Sequence, residues 1–277
     1  MDLAKKIDKI NIDKANLYAF WLHFLSGLGI AIFFGITNNN INFNTNLYTY
    51  KITGIDEFNN NIEFDFGNNS PNFNVSTVSL KTITILIFFI TAIFHLFYYR
   101  NKEFYRSELE KGRNRIRWIE YGITATLMIF LLCIISGVKE IYATLLLCCL
   151  NICLISFGYF LEMSDSKEVR KICLVLGFFV LICTFTVILN NFYPNLNSAR
   201  EQDYDIPSWV KMVLIPMIFW WASFGIVAIL NTKNFEKKNY NFIRYERYYI
   251  LLSYMSKAFM GYYLAFGLTR ERPEKNN

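Results

Sequence analysis

The sequence predicts an all-α membrane protein, a single domain over residues 1–277 built as a bundle of seven transmembrane helices. Hydrophobic residues make up 54% of the chain and charged residues only 18%, whereas a soluble domain carries about 25% charged residues. The apolar residues are gathered into long runs with few charges, which is typical of membrane spans of about 20 residues. We therefore expect spans at 17–36, 80–99, 116–136, 141–161, 172–190, 209–230 and 248–268.

The distribution of Lys and Arg predicts the orientation of these spans, because cytoplasmic loops carry an excess of both residues. With the N-terminus inside, 19 of the 28 fall on the inner face and 8 on the outer face, the last being Lys257. We therefore expect a cytoplasmic N-terminus and an extracellular C-terminus. No small-residue cleavage site precedes the first span, so we expect that span to be retained. The asymmetry explains the net charge of +6, so nucleic acid is not expected as a partner.

The segment 37–79 between the first two spans is rich in Asn. From Tyr48 to Phe66 its residues alternate in a way that predicts a hairpin, which we interpret as a small extracellular β-ribbon. Asn68 and Asn74 begin acceptor triplets for N-glycosylation, although such triplets arise often by chance in Asn-rich sequence. The six cysteines all lie within predicted spans and show no metal-ligand spacing. A disulfide framework is therefore not expected.

Lys257 is the clearest functional candidate. A charged side chain near the middle of a span costs about 2.5 to 3.5 kcal/mol on insertion scales and therefore indicates function. Lys257 lies nine residues past the start of the seventh span, about 13 Å along a helix. Two interpretations are open from the residues alone. The lysine pairs with a carboxylate of another helix to hold the bundle, or its amine forms a Schiff base with an aldehyde.

Both interpretations require a carboxylate on another span, and Glu120 is the best candidate. It lies near the inner start of the third span, with Arg117 three residues before it and Thr124 four residues after it, so all three share one helix face. The competing interpretation is an interfacial pair between Glu120 and Arg117.

Both histidines of the chain, His23 and His95, lie within spans one and two. Each is within roughly two turns of the inner membrane edge, in the same layer as Glu120. A single histidine inside a membrane is usually a core residue, but imidazole accepts a proton near neutral pH. With a carboxylate in the same layer, a proton-accepting role and a packing role are equally open.

Together these residues resemble the heliorhodopsin family over nearly the whole chain. RWIEY at 117–121 is similar to the third-helix motif of that family, and residues 245–270 are similar to its seventh-helix signature. The histidines match those of helices one and two, and FGYFLE at 157–162 resembles the end of helix four. The resemblance implies all-trans retinal bound covalently to Lys257 as a Schiff base, with Glu120 as its counterion.

The resemblance also implies roles for further residues. It implies a proton-accepting and polar network formed by His23, His95, Ser256 and Thr124. It implies a retinal pocket lined by Tyr121, Ala125, Met128, Asn151, Trp221 and Phe224. It implies a cytoplasmic polar cluster formed by Arg117, Glu162, Tyr245 and Glu246. The chain departs from the family at 222–225, where ASFG replaces the common NSFA.

These observations predict a photosensory receptor rather than an enzyme. Proton transport requires titratable groups on both sides of the Schiff base, whereas here they lie on the inner side. Light-gated or light-driven proton transport is the alternative, and a seven-span zinc hydrolase is a further one, although catalytic zinc usually takes three protein ligands. The expected partners are the lipid bilayer, a second copy in a homodimer and an unidentified cytoplasmic signalling protein.

Overall fold

A computed structural model describes the chain at residues 11–37, 44–48, 51–56, 61–65, 74–138, 140–201, 208–237 and 240–269. Within these ranges the chain forms eight α-helices. In chain order they are α1 (Ile12–Ile36), α2 (Leu80–Arg100), α3 (Lys102–Glu110), α4 (Arg115–Ile135), α5 (Ile141–Met163), α6 (Lys167–Glu201), α7 (Ser208–Asn234) and α8 (Phe242–Thr269).

Six of these helices are long and apolar enough to cross a membrane, namely α1, α2, α4, α5, α6 and α7. The predicted all-α membrane class is therefore confirmed. The 28 residues of α8 would reach about 42 Å at 1.5 Å per residue, so this helix also has the length of a span. Its polar residues, among them Ser253, Ser256 and Lys257, lower its hydropathy.

The seven long helices pack as a closed ring. Helix α1 packs against α2 and α8, α2 also packs against α4, α5 lies between α4 and α6, and α7 lies between α6 and α8. The largest apolar core lies toward one end of the bundle, receives residues from all seven long helices and includes Ile129, Leu132, Met217 and Leu264, all fully buried. Many large apolar side chains on the outside of the ring are exposed, as expected for a surface that faces lipid.

Four short strands lie between α1 and α2. They are β1 (Asn44–Tyr48), β2 (Lys51–Asp56), β3 (Asn61–Asp65) and β4 (Asn74–Ser79). Strand β1 pairs antiparallel with β4, and β2 pairs antiparallel with β3 inside the segment whose alternation predicts a hairpin. The extracellular position of this segment stays a prediction. Asn68 lies outside the described residues, and Asn74 begins β4.

Helix α3 was not predicted, since the run of basic residues between α2 and α4 indicates only a loop. Its apolar face packs Tyr105 and Leu109 against Tyr98 and Phe242. Arg106 forms an ion pair with Asp13 at the start of α1. This helix therefore covers one end of the bundle and places Tyr105 close to α8.

Candidate functional site

The centre of the bundle contains a buried ion pair. The Lys257 amine nitrogen Nζ lies 3.2 Å from the Glu120 carboxylate oxygen Oε1, and each residue is only 4% exposed. Removing two charges from water is costly and is offset only where the charges pair closely and make further hydrogen bonds. The sequence-predicted partners Lys257 and Glu120 are therefore brought together, on α8 and α4.

Three hydroxyl groups supply those further hydrogen bonds. Thr91 on α2 and Thr124 on α4 donate to Glu120 Oε1 at 2.8 and 2.9 Å. Lys257 Nζ donates to Ser253 Oγ at 2.8 Å. We call Lys257, Glu120 and these three residues the lysine cluster.

Ser253 is the serine that bonds to the lysine amine, whereas Ser256, predicted as a member of the polar network, has another partner. Ser253 lies four residues before Lys257 and shares its helix face, whereas a residue one position away points about 100° around the helix. Ser256 Oγ donates instead to the Ser253 carbonyl oxygen at 3.2 Å.

The two histidines form a stacked pair beside the lysine cluster. Their ring centroids lie 5.4 Å apart with an angle of 23° between the ring planes. His23 Nδ1 donates to the Ala19 carbonyl oxygen, and His95 Nδ1 donates to Asn16 Oδ1, both at 2.8 Å. Because each Nδ1 uses its proton in this way, the neutral rings keep their lone pairs at Nε2, where a proton can be accepted.

An apolar cavity extends from Lys257 between α4, α5, α6, α7 and α8. Most of its wall is aromatic or aliphatic, including Trp118, Leu154, Phe178 and Tyr249. Six predicted residues line it, namely Tyr121, Ala125, Met128, Trp221, Phe224 and Ser256.

Asn151, the remaining predicted pocket residue, lies behind this wall. It accepts a hydrogen bond from Trp221 Nε1 at 3.4 Å and donates to Thr126 Oγ1 at 3.0 Å. Asn151 thus positions an aromatic wall residue without lining the cavity itself.

Two glycines allow aromatic rings to lie close against the helices around this cavity. A Cβ atom at Gly158 would lie 2.2 Å from the Trp118 ring, and one at Gly225 would lie 2.5 Å from the Phe178 ring. Both distances are far below van der Waals contact. The shape of the cavity therefore depends on glycine at these positions.

A second buried cluster lies between the lysine cluster and the end of the bundle where α1, α4 and α8 begin, the end predicted to face inward. Arg117 forms ion pairs with both Glu162 and Glu246, at the end of α5 and the start of α8. Asn114 Nδ2 and Tyr105 Oη donate to Glu246 Oε1 at 2.7 and 2.9 Å. We call these five residues the inner cluster.

Tyr245, predicted as a member of this cluster, has a different hydrogen-bond partner. Its hydroxyl oxygen accepts from Asn234 Nδ2 at 2.8 Å. Tyr245 thus links α8 to the end of α7.

Several functional contacts were missed by sequence reasoning. Thr91, Ser253, Asn16, Asn114 and Tyr105 all bond to charged or titratable site residues. Only Ser253 carried a usable signal, its four-residue spacing from Lys257. The other four are uncharged residues whose partners lie on different helices.

Across the described part of the chain, no group of three or more His, Cys, Asp or Glu side chains is placed to hold a metal ion. All six cysteines are free thiols.

A family model for heliorhodopsins matches residues 12–268 of the chain. This match covers nearly the whole sequence, including every residue of the lysine and inner clusters. The chain belongs to the heliorhodopsin family. Family membership and the fold imply a retinal chromophore. No curated protein matches this chain.

Solved structures of microbial rhodopsins share the fold. A light-driven proton pump LR (Mac) from Leptosphaeria maculans is 12% identical, with a TM-score of 0.65 over 94% of this chain and 97% of that one. Thermophilic rhodopsin from Rubrobacter xylanophilus is 16% identical, with a TM-score of 0.63 and coverages of 92% and 95%. Exiguobacterium sibiricum rhodopsin is 18% identical, with a TM-score of 0.56 and coverages of 92% and 96%.

The residues around Lys257 fit the retinal that the family implies. A buried primary amine in the wall of an apolar cavity can condense with the aldehyde of retinal. The aromatic and aliphatic wall suits a conjugated hydrocarbon chain. Glu120, 3.2 Å from the amine nitrogen, supplies the anion that a cationic linkage needs.

Proposed function

We propose that this chain is a photosensory receptor that holds all-trans retinal covalently on Lys257, with Glu120 as counterion. The observation that carries the proposal is the buried 3.2 Å pair of Lys257 and Glu120, whose lysine lines the apolar cavity. When bound, retinal supplies absorption of visible light and a change of shape on illumination. The protein supplies the charged and titratable groups that set the absorption and that exchange a proton with Lys257 Nζ after the change of shape.

Glu120 stabilises a proton on Lys257 Nζ, because an opposite charge within about 4 to 6 Å favours the charged form. Thr91 and Thr124 hold the carboxylate toward the amine. In the proposed cycle the proton leaves Nζ after illumination and is accepted at Nε2 of His23 or His95. It then returns to Nζ without crossing the membrane.

The distribution of buried carboxylates supports sensing over transport. Five carboxylates of the described residues are buried, namely Asp13, Glu108, Glu120, Glu162 and Glu246. All lie between the middle of the bundle and the end where α1, α4 and α8 begin. Toward the other end, the buried polar side chains that the structure describes include Thr84, Ser136, Thr144 and Thr184, which do not titrate near neutral pH. Among the described residues, fully buried carboxylates therefore lie on one side only, and the half-buried Glu140 at the cap of α5 is bonded to the start of its own helix.

The topology and assembly belong to the same proposal. All seven long helices span the bilayer, with the N-terminus in the cytoplasm, the C-terminus outside and the strands β1–β4 on the outer side. The chain forms a homodimer and signals to a cytoplasmic protein. The positive charge on the inner loops supports this orientation.

The proposal is tested by expressing the chain with all-trans retinal and recording a visible spectrum before and after hydroxylamine. We expect a coloured protein that bleaches. Lys257→Ala should be colourless, whereas the matched control Lys211→Ala, near the start of α7, should keep its colour. A covalently bound visible chromophore in Lys257→Ala would contradict the assignment.

Proton transport is the second candidate, favoured by the buried carboxylates that continue from Glu120 to Glu246 on the inner side. Photocurrent under voltage clamp, with and without a proton gradient, separates the two functions. We expect a normal photocycle without sustained current. A sustained current that follows the proton gradient and disappears in Glu120→Gln would establish transport instead.

A further inference from the structure

Asn16 on α1 lies between the histidine pair and the inner cluster. Its side chain is fully buried. Asn16 Oδ1 accepts from His95 Nδ1 at 2.8 Å, and Asn16 Nδ2 donates to the Ile12 carbonyl oxygen at 3.1 Å. Because a carbonyl oxygen can only accept, the second bond fixes which end of the amide faces His95.

The contacts of Asn16 continue toward Glu246. Tyr105 packs in one buried cluster with Ile12, the residue whose carbonyl oxygen accepts from Asn16 Nδ2. Burial raises the pKa of Tyr105, and the nearby Asn16 side chain opposes that effect. The Tyr105 hydroxyl in turn donates to Glu246 Oε1 at 2.9 Å. Polar side chains therefore lie in series from His95 through Asn16 and Tyr105 to a carboxylate of the inner cluster.

Asn16 is the member of this series that cannot relay a proton. Imidazole, phenol and carboxylate groups each gain and lose protons, whereas a carboxamide oxygen only accepts a hydrogen bond and its nitrogen only donates. A proton on His95 Nδ1 is thus shared with Asn16 and goes no further. His23 is blocked in the same way by the Ala19 carbonyl oxygen.

We propose that Asn16 is a positioning residue that insulates the histidine pair from the inner cluster. It holds His95 in the tautomer with its proton at Nδ1, so that the accepting atom is Nε2. A proton taken from Lys257 Nζ is then kept in the histidine layer and returns to Nζ, instead of passing through Tyr105 to Glu246. This inference rests on the proposed function, in which the histidines accept that proton.

The tautomer can be measured without retinal, by nitrogen-15 NMR of histidine-labelled, retinal-free protein. We expect both rings to carry their proton at Nδ1. Asn16→Leu removes the acceptor of His95 and should move that proton to Nε2. His23 keeps its bond to Ala19 and serves as the internal control. A wild-type spectrum with His95 protonated at Nε2 would overturn the proposal.

Proton release after a flash tests the insulation itself. With a pH-sensitive dye on the inner side of proteoliposomes, the wild type and Asn16→Leu should show no transient release. Asn16→Asp places a titratable group between His95 and Tyr105 and should release a proton during each photocycle. Adding Tyr105→Phe to Asn16→Asp should abolish that release.

Asn16→Ser provides a second variant in case the buried carboxylate prevents folding, since a hydroxyl both accepts and donates. Release from the wild type would overturn the proposal. The proposal would also be overturned if no proton were released from a folded Asn16→Asp or Asn16→Ser protein whose histidines still accept the proton. A chain that binds no retinal would contradict the proposed function instead, and the NMR result would still decide the role of Asn16.

Discussion

Arg117 and Glu120 lie one turn apart on α4, yet their side chains belong to different ion clusters. Opposite charges three residues apart on a helix commonly pair. Here Arg117 pairs with Glu162 and Glu246, whereas Glu120 pairs with Lys257. The positive charge of Arg117 is matched by two carboxylates, which leaves the charge of Glu120 to act on the lysine amine.

Replacing Glu120 by Gln should shift the absorption of the pigment to the red where the proton on Lys257 Nζ is kept. It should shift absorption to the ultraviolet where that proton is lost. Both follow from removing the negative charge that stabilises the cation. A visible spectrum recorded across a pH titration measures the effect. Glu140→Gln, at the cap of α5, should match the wild type, and an unchanged titration in Glu120→Gln would exclude the counterion role.

Thr91→Val should shift absorption in the opposite direction, to the blue. The Thr91 hydroxyl withdraws charge from Glu120 Oε1 through its 2.8 Å hydrogen bond, so its loss leaves more negative charge beside the amine. Thr84→Val on the same helix is the control, because Thr84 is also buried but donates to the Leu80 carbonyl oxygen. Equal spectra for the two variants would show that Thr91 does not tune the counterion.

Arg117→Gln should destabilise the protein by about 3 to 5 kcal/mol, since it leaves two buried carboxylates without their cation. Lys167→Gln removes the exposed pair with Glu236 and should cost no more than about 1 kcal/mol. Thermal loss of the visible chromophore in detergent compares the two variants. Similar losses would indicate that the inner cluster adds no stability.

Gly158→Ala should lower thermal stability by about 1 to 3 kcal/mol, the usual cost of overpacking, and slow the uptake of retinal. The new methyl group would overlap the Trp118 ring, which lines the cavity. Gly122→Ala on α4 meets no atom within 4 Å and is the matched control. Uptake at the wild-type rate in Gly158→Ala would show that the ring moves aside without affecting the cavity.

The free energy of unfolding should depend on pH through the carboxyl group of Glu108. Burial raises the pKa of its carboxyl, but the hydrogen bond and charge of Arg115 and the charges of Arg113 and Lys111 outweigh this effect and hold it below the ordinary 4.5. A carboxyl whose pKa is lowered on folding stabilises the protein above that value and loses the contribution as the pH falls below it. Melting temperatures between pH 3 and 6 should therefore fall less steeply for Glu108→Gln, and parallel curves would contradict this prediction.

Much of the lysine cluster was predictable because charge inside a membrane is costly. Lys257 and Glu120 stand out in apolar runs, so the sequence indicates both the residues and their need for each other. The hydroxyls around them do not stand out, because Thr and Ser are common in membrane helices. Their selection depends on which helices are neighbours, and Thr91 reaches Glu120 only because α2 packs against α4.

The sequence by itself determined the membrane class, the long helices, the family and the lysine that lies at the centre of the bundle. These follow from properties that act locally, namely hydropathy over about 20 residues and short motifs. Only the tertiary structure decided that Arg117 turns away from Glu120 and that Asn16 lies between His95 and Tyr105. Those outcomes depend on side chains of different helices meeting within about 3 Å, the distance over which a hydrogen bond acts.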